Sequence, residues 1–438
     1  MHRTFVLSLI LFASLSLAFQ PARAQNGAPL ALVMTADGPI MPPMLEYVKR
    51  GIEFAERRNA EVLVIQLNTP GGAVLTTLDI IREMRASSIP VVVYVSPKNA
   101  IAGSAGAIIT VAGHASAMAP ETTIGASTPI TSTGEDLPTD ARNKEVNALQ
   151  AAIRPYVEPR GKDALALANA MIAEAKAVTA NEALEAKLVD FVADDLEDLL
   201  QVLDGFTVQV NDEARTINTS DVETVPLNMS FIEQFLLFLT DPNIAFILLA
   251  IGVQAVLIEI SSPGGWVAGF IGVVCLTLAV YGMGVLPVNW FGIIFLITAF
   301  VLFILDIKAP THGALTTAGV ASFIIGALVL FNSPGVPQFQ RVSVPLVVAT
   351  GFTIGMLFMV MLVYALRALK VPVSAGIESL IGKTGIARTA VQGAGGQVQL
   401  GSELWSAESE DIAEAIGKGD KVEVVEVKGL RLKVRKAK

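Results

Sequence analysis

A serine among small residues, and a glycine pair 32 positions upstream of it, are the residues of this chain best suited to chemistry. Asn68-Thr69-Pro70-Gly71-Gly72 closes the apolar run Val62 to Leu67, and Ser104 stands in Ala102-Gly103-Ser104-Ala105-Gly106. Both turns follow predicted strands. Backbone N–H groups stabilise an oxyanion only where the chain approaches its substrate with no side chain between, which glycine permits. A serine that opens a helix holds its hydroxyl at the positive end of the helix dipole. Donors on one turn and a nucleophile on the other suggest a serine peptidase. A tight structural turn is the plainer account of Pro70-Gly71-Gly72 taken alone.

A serine hydroxyl is inert without a base. The chain has three histidines, His2, His114 and His312. His114 lies ten residues beyond Ser104. On one helix that is roughly 15 Å, outside hydrogen-bond reach. His2 falls in a leader and His312 among membrane-type segments, so a Ser-His-Asp triad is not expected. Lysine is the alternative if it is held neutral, which burial among apolar groups favours. Lys144 shares a helix face with Ala148, Ala151 and Ala152, small enough for close packing that would keep an amine dry. Spacing alone leaves Lys144 open between a base and an ordinary solvated lysine. Lys98, in Ser96-Pro97-Lys98-Asn99, reads as part of an exposed turn.

The elements that would position these residues alternate. Leu30 to Thr35 reads as a strand, and Met44 to Arg57 as a helix with Leu45, Val48, Ile52 and Ala55 on one face. Val62 to Leu67 has the continuous apolar character of a buried parallel strand. Val74 to Met84 is helical in pattern, Val91 to Val95 is a third strand, and a helix begins near Ser104. Ser116 to Ala119 is short and extended, and helices follow at Ala141 to Tyr156 and Asp163 to Lys176. Thr179-Ala180-Asn181-Glu182 is a capping box, and Leu188 to Val192 reads as a closing strand. Such alternation predicts an α/β layer fold. Ser127 to Asp140 carries loop chemistry.

Five apolar segments come next: Ile244 to Ile260, Val267 to Leu286, Trp290 to Leu305, Leu315 to Phe331 and Val344 to Leu369. Each is near the length that crosses ~30 Å of hydrocarbon. Phe231 to Leu239 reads as an interfacial helix, and Glu259 and Asp306, at span ends, read as solvated anchors. Short alternating segments at Gln397 to Leu400, Val422 to Val427 and Leu430 to Val434 predict a small closed β-barrel of OB type. The plan is a signal segment at 1–24, an α/β peptidase domain at 25–225, a transmembrane domain of about five helices at 231–370 and an OB domain at 375–438.

Composition narrows the function classes. Of 438 residues 53% are hydrophobic, which calls for membrane spans. A net charge of -9 argues against a nucleic-acid partner, and no stacking aromatics interleave with the basic end Lys428 to Lys438. A single cysteine, Cys275, excludes a disulfide framework, and so few histidines make a metal site improbable; no cofactor is expected. His2 and Arg3, the apolar stretch Phe5 to Phe19 and Ala22-Arg23-Ala24 form an export leader. In a bacterium the peptidase domain then lies outside the inner membrane. Five spans put the OB domain in the cytoplasm, with Arg367 and Lys370 on the inner side.

The order of motifs adds a family. Asn68 to Gly72, the Ser104 turn, Pro120 with Ile124-Gly125-Ala126, Lys144-x-x-Asn147 and Arg160-Gly161 resemble the NfeD family of long-form membrane-bound proteins. Gly382 to Ala387, Gly401-Ser402-Glu403-Leu404-Trp405 and Val424 to Leu430 resemble that family's OB domain. The resemblance implies a ClpP/crotonase-like N-terminal fold and a Ser–Lys dyad, with Ser104 as nucleophile and Lys144 as general base. Related ClpP peptidases carry a histidine in the strand matched by Ile124 to Pro129; none stands here, in keeping with the lysine variant. Oxyanion donors are expected from Gly71, Gly72 and Ala105. Ile124, Gly125 and Ala126 are expected to take an extended substrate by strand addition. The implied substrate or partner is a stomatin-like membrane protein, alongside membrane lipid and at least one further copy of the chain. The alternative is a catalytically inactive scaffold organising stomatin-like proteins.

Overall fold

The computed structural model describes residues 29–129, 138–261, 265–308, 311, 313–332, 336, 338–370, 377–393, 395–411 and 413–437. The leader at 1–24 and most of the loop Ser127 to Asp140 lie outside the described residues.

The N-terminal domain opens with β1 (Leu30–Asp37), α1 (Pro42–Arg57), β2 (Val62–Asn68), α2 (Val74–Ala86), β3 (Val91–Val95) and β4 (Ile101–Gly103). Next come α3 (Ala105–Ala112), β5 (Ala115–Met118), β6 (Thr123–Gly125), α4 (Thr139–Val157) and α5 (Lys162–Ala173). It ends with β7 (Ala177–Thr179), α6 (Ala180–Glu185), β8 (Phe191–Val192), α7 (Leu196–Leu203), β9 (Thr207–Val210), β10 (Glu213–Thr216) and β11 (Glu223–Leu227). Six strands form one parallel sheet in the order β11-β1-β2-β3-β5-β8. Successive strand residues point to opposite faces. Leu32, Met34, Leu63 and Ile65 therefore join a core under α1, α2 and α3, while Ala31, Val33, Val62 and Val64 join a second core with Leu199 and Leu203 of α7. Helices on both faces explain why these strands read as unbroken apolar runs.

Helix α1 buries Met44, Tyr47, Val48, Ile52 and Ala55, close to the predicted face. The capping box at Thr179 and Glu182 is formed. Short strands β4, β6, β7 and β11 carry no sequence signal of their own. At three to five residues they are held by their neighbours, and Pro226 confines β11 to the sheet edge.

The chain then enters α8 (Phe231–Phe238), α9 (Pro242–Ser261), α10 (Val267–Val285), α11 (Phe291–Lys308), α12 (Ala314–Phe331) and α13 (Val344–Lys370). Helix α8 is seated by Glu233, which accepts two hydrogen bonds from the Arg50 guanidinium, at 2.8 and 2.7 Å. Burial alone would raise the Glu233 carboxyl, but the Arg50 and Ser230 donors outweigh it and hold the group below its ordinary value. Phe231 and Ile232 remain 81% and 67% exposed, the expected face of an interfacial helix. Among the described residues four helices, within Pro242–Ile260, Val267–Val285, Ala314–Phe331 and Val344–Met361, are long and apolar enough to cross a membrane; the apolar stretch Phe291–Asp306 of α11 is shorter.

The expectation of solvated anchors does not hold for Asp306. Asp306 is fully buried, and its carboxylate accepts the N–H of Thr316 at 3.0 Å and the hydroxyls of Thr311 and Thr316. Glu259 accepts the N–H groups of Trp266 and Gly269 at 3.1 and 3.3 Å. In each hairpin an acid ending one helix meets the first turn of the next, satisfying N–H groups that have no partner within their helix. The spacing repeats: Glu259 to Gly269 and Asp306 to Thr316 both span ten residues.

By itself, the C-terminal unit closes a barrel from β12 (Thr384–Ala387), β13 (Gln397–Leu400), β14 (Glu403–Ser409), β15 (Lys421–Lys428) and β16 (Arg431–Lys436), in the order β12-β13-β14-β16-β15. Val398, Val422, Val424, Leu432 and Val434 fill it. Its basic end is paired: Lys428, Lys433, Arg435 and Lys436 meet Glu408, Glu426, Glu423 and Asp420. The α/β, multi-helix membrane and OB-type barrel classes expected from the sequence are all present.

Candidate active site

Ser104 follows β4 and precedes α3 with φ +49° and ψ −110°, a conformation that costs a non-glycine residue energy and needs its surroundings to hold it. Its N–H donates to Gly125 O at 2.8 Å, and the Ser127 hydroxyl donates to Ser104 O at 3.0 Å. Strand β6 and the residue that follows Ala126 thus hold the serine from behind.

The glycine turn is fastened to the same place. Thr69 N–H donates to Ile101 O at 2.7 Å, Gly103 N–H to Thr69 O at 2.9 Å, and Ile101 N–H to the Asn68 side chain at 3.1 Å. This close seam accounts for the small residues around the serine. A Cβ on Gly103 would stand 2.9 Å from Pro70 O, and one on Gly106 would stand 2.5 Å from Thr69 Cγ2. Gly71 has φ +128°, and a Cβ there would meet Ser104 Cβ at 2.9 Å and Ser104 Oγ at 3.4 Å. The two turns recognised in the sequence are in contact.

The donors divide unequally. Gly71 N–H is occupied by Thr69 Oγ1 at 3.1 Å, so Gly71 contributes close approach rather than a free donor. Ile40 brackets the turn, donating to Gly71 O at 2.8 Å and accepting from Ala73 N–H at 2.9 Å. Among the described residues, the N–H groups of Gly72 and Ala105 meet no acceptor. They stand on the two turns that converge at Ser104.

Strand addition on β6 does not hold. Thr123, Ile124 and Gly125 pair with Ile101, Ala102 and Gly103 on one side and with Thr179, Val178 and Ala177 on the other. Ala126 N–H is taken by Lys176 O at 2.9 Å. With both edges filled, Ile124, Gly125 and Ala126 support Ser104 and offer no free ladder.

Lys144 lies on α4, which packs against α3, yet its side chain is exposed, as are Ala148 and Ala151. The expected dry face is therefore open in the single chain. Helix α4 buries Leu149, Ile153 and Val157 instead. Lys144 precedes Leu149 by five residues, about 140° around the helix from that stripe. Lys98 pairs with Asp194 at 3.1 Å. His114 is buried, its Nδ1 accepts the Val91 N–H at 3.0 Å, and burial, reinforced by the Arg85 charge, lowers its pKa to about 4. It serves the core and not the serine. Asn68 and Thr69 stand in the glycine motif read from the sequence, but their bonds to Ile101 and Gly103 do not follow from it; Ile40 carries no signal of its own, and for Ser127 the signal is its place directly after the Ile124-Gly125-Ala126 motif.

Three family profiles match in chain order: the NfeD1b N-terminal domain at residues 36–225, the NfeD integral membrane domain at 243–364 and the NfeD-like C-terminal, partner-binding domain at 377–436. A membrane-bound protease of Pyrococcus horikoshii is 33% identical over 440 residues, covering 98% of this chain and 97% of the relative. Membrane protein NfeD1b of Bacillus subtilis is 27% identical over 419 residues, covering 90% of this chain and 89% of its own. Among solved structures, a membrane-bound stomatin-specific protease, a lysine-to-alanine variant in complex with a substrate peptide, is 31% identical with a TM-score of 0.46. It covers 49% of this chain and 99% of its own. Matched along nearly its whole length by such a relative and in all three regions by the family's profiles, the chain belongs to the long-form NfeD family of membrane-bound proteases.

Proposed function

We propose that this chain is a membrane-anchored serine endopeptidase in which Ser104 is the nucleophile, Lys144 the general base, and the N–H groups of Gly72 and Ala105 the oxyanion donors. The observation that carries the reading is the pair of N–H groups that meet no acceptor among the described residues, beside a serine in a conformation of positive φ. In the mechanism, neutral Lys144 accepts the Ser104 proton as Oγ attacks the peptide carbonyl carbon. The carbonyl π electrons pass to oxygen, and Gly72 and Ala105 stabilise the resulting charge. Collapse expels the amine, which takes the proton from the Lys144 ammonium. Water, deprotonated by Lys144, then attacks the acyl-serine; the acyl–Oγ bond breaks, Ser104 Oγ takes the proton back from the Lys144 ammonium, and the carboxylic acid leaves.

Lys144 is exposed in the single chain, so the desolvation this role needs comes from a second copy or a bound substrate covering Ala148 and Ala151. The substrate class follows from the family resemblance: a hydrophobic segment of a stomatin-like, membrane-associated protein. The C-terminal barrel then holds a partner. In a bacterium the peptidase domain stands on the periplasmic side. Whether Phe291–Asp306 spans decides the side of the barrel, since five spans place it in the cytoplasm and four return it to the outside.

The same exposure of Lys144 favours a second reading, an inactive scaffold that organises stomatin-like proteins. Labelling with a fluorophosphonate probe separates the two. The peptidase reading expects labelling of the full-length protein that is lost in Ser104→Ala. Intact, membrane-inserted protein that stays unlabelled, under conditions that label a related serine peptidase, supports the scaffold.

A further inference from the structure

A cavity of about 510 Å³ opens between the loop from Asp37 to Met41, Pro70 of the glycine turn, helix α8 and the residues around Pro242 and Phe339. Its size falls within the roughly 300–1,000 Å³ range of ligand pockets. Met41, Met229, Leu237, Phe238, Pro242 and Phe339 give it a largely apolar lining, with Asp37 and Asp241 also facing it. Apart from Pro70, its lining lies outside the set of residues that hold Ser104 and the free N–H groups.

The cavity shares a wall with the catalytic turn. Pro70 lines it, and the same residue's carbonyl oxygen lies so near Gly103 that a Cβ there would stand 2.9 Å away. The loop from Asp37 to Met41 is bonded to the turn through Ile40, at 2.8 and 2.9 Å. Gly72 is two residues from Pro70, at most about 7 Å along the chain. On the other side stands α8, seated by Arg50 and Glu233, with α9, the first candidate span, starting at Pro242.

We infer that this cavity is a subsite for apolar side chains of a polypeptide substrate, taken up where the substrate chain leaves the bilayer. The inference rests on the peptidase reading above and adds to it a place of entry. An extended peptide advances about 3.3 Å per residue. A chain whose scissile carbonyl meets Gly72 N–H therefore reaches the Pro70 wall within two or three residues. The acidic pair at Asp37 and Asp241 disfavours the phosphate of an anionic lipid and suits a neutral or basic stretch beside an apolar segment.

The test uses full-length protein in phosphatidylcholine–phosphatidylglycerol vesicles and two fluorogenic peptides of equal length. One carries leucine and phenylalanine around the scissile bond, the other alanine and serine. Gln234→Trp and Gln340→Trp fill the cavity from its rim. The ratio of kcat/KM for the apolar over the small peptide should fall about tenfold or more. Fluorophosphonate labelling reports whether Ser104 is still reached. An unchanged ratio in a labelled variant overturns the cavity alone, whereas absence of labelling in the unsubstituted protein overturns the peptidase reading and this inference with it. Should the tryptophan variants fail to fold, a photoreactive phenylalanine analogue in place of Phe339 decides. Crosslinking to the apolar peptide supports the subsite, and crosslinking to lipid alone overturns it.

Discussion

The start of α3 in the α/β domain and the starts of α10 and α12 in the membrane region differ in what meets their first N–H groups. At α3 the Ala105 N–H is left without an acceptor among the described residues, beside a similarly free Gly72. At α10 and α12 the carboxylates of Glu259 and Asp306, each on the preceding helix, accept those N–H groups. An unsatisfied N–H inside hydrocarbon costs several kcal/mol, so a membrane hairpin closes its helix starts with its own acids. A free N–H beside the half-buried Ser104 remains available to a ligand's charge. Open donors next to a serine mark chemistry, and closed ones mark architecture.

The comparison can be broken or sharpened by substitution. Lys144→Ala should lower peptide turnover by about 10⁴-fold or more with unchanged circular dichroism. Retained turnover would move the base elsewhere. Gly72→Ala places a Cβ 2.1 Å from Ile40 O, so the turn must shift and its donor with it. Turnover should fall about 10²- to 10³-fold, the usual cost of an oxyanion donor. A milder loss would mean that the Gly72 N–H is idle.

The closed ends should respond in stability instead. Asp306→Ala leaves the Thr316 N–H and two hydroxyls without their acceptor in a fully buried place. About 2–3 kcal/mol should be lost, against about 1 kcal/mol for the less buried Glu259→Ala, both read by unfolding in detergent. Equal costs would undo the argument from burial.

His114 supplies a pH test within the α/β domain. Its pKa is about 4 when folded and 6.5 as the ordinary value, so the unfolded chain binds the extra proton between them. Its contribution is complete above 6.5 and is lost as pH falls towards 4, by up to about 3 kcal/mol. His114→Gln, which keeps an acceptor near the Val91 N–H, should flatten that part of the stability profile. The smallest effect belongs to Lys98→Ala. Its ion pair with Asp194 is 52% and 68% exposed, and the change should cost under about 1 kcal/mol and spare turnover.

Much of this is legible in the amino-acid sequence. Period-two and continuous apolar runs marked β1 to β3 and the barrel strands, and helical spacing marked α1. The glycine turn and the serine turn were each visible because both conformations demand small residues. Strands β4, β6 and β7 were not, since three-residue segments owe their shape to the partners on either side. For the same reason the free edge assigned to Ile124 and Gly125 was wrong: strand character can be read locally, but edge or centre depends on the rest of the sheet. Asp306 was misread as solvated because a carboxylate at a helix end looks the same whether it faces water or the next helix.

What the amino-acid order determined by itself was the division into three regions and the two small-residue turns that make up the candidate site. Periodicity, composition and small-residue turns are local properties, and each reports directly on its own segment. Only the tertiary structure decided which N–H groups are spent and which are free, that Gly71 touches Ser104, and that Lys144 faces outward. Those outcomes depend on contacts between segments far apart in the chain, where packing and hydrogen-bond competition choose among conformations that local sequence permits equally.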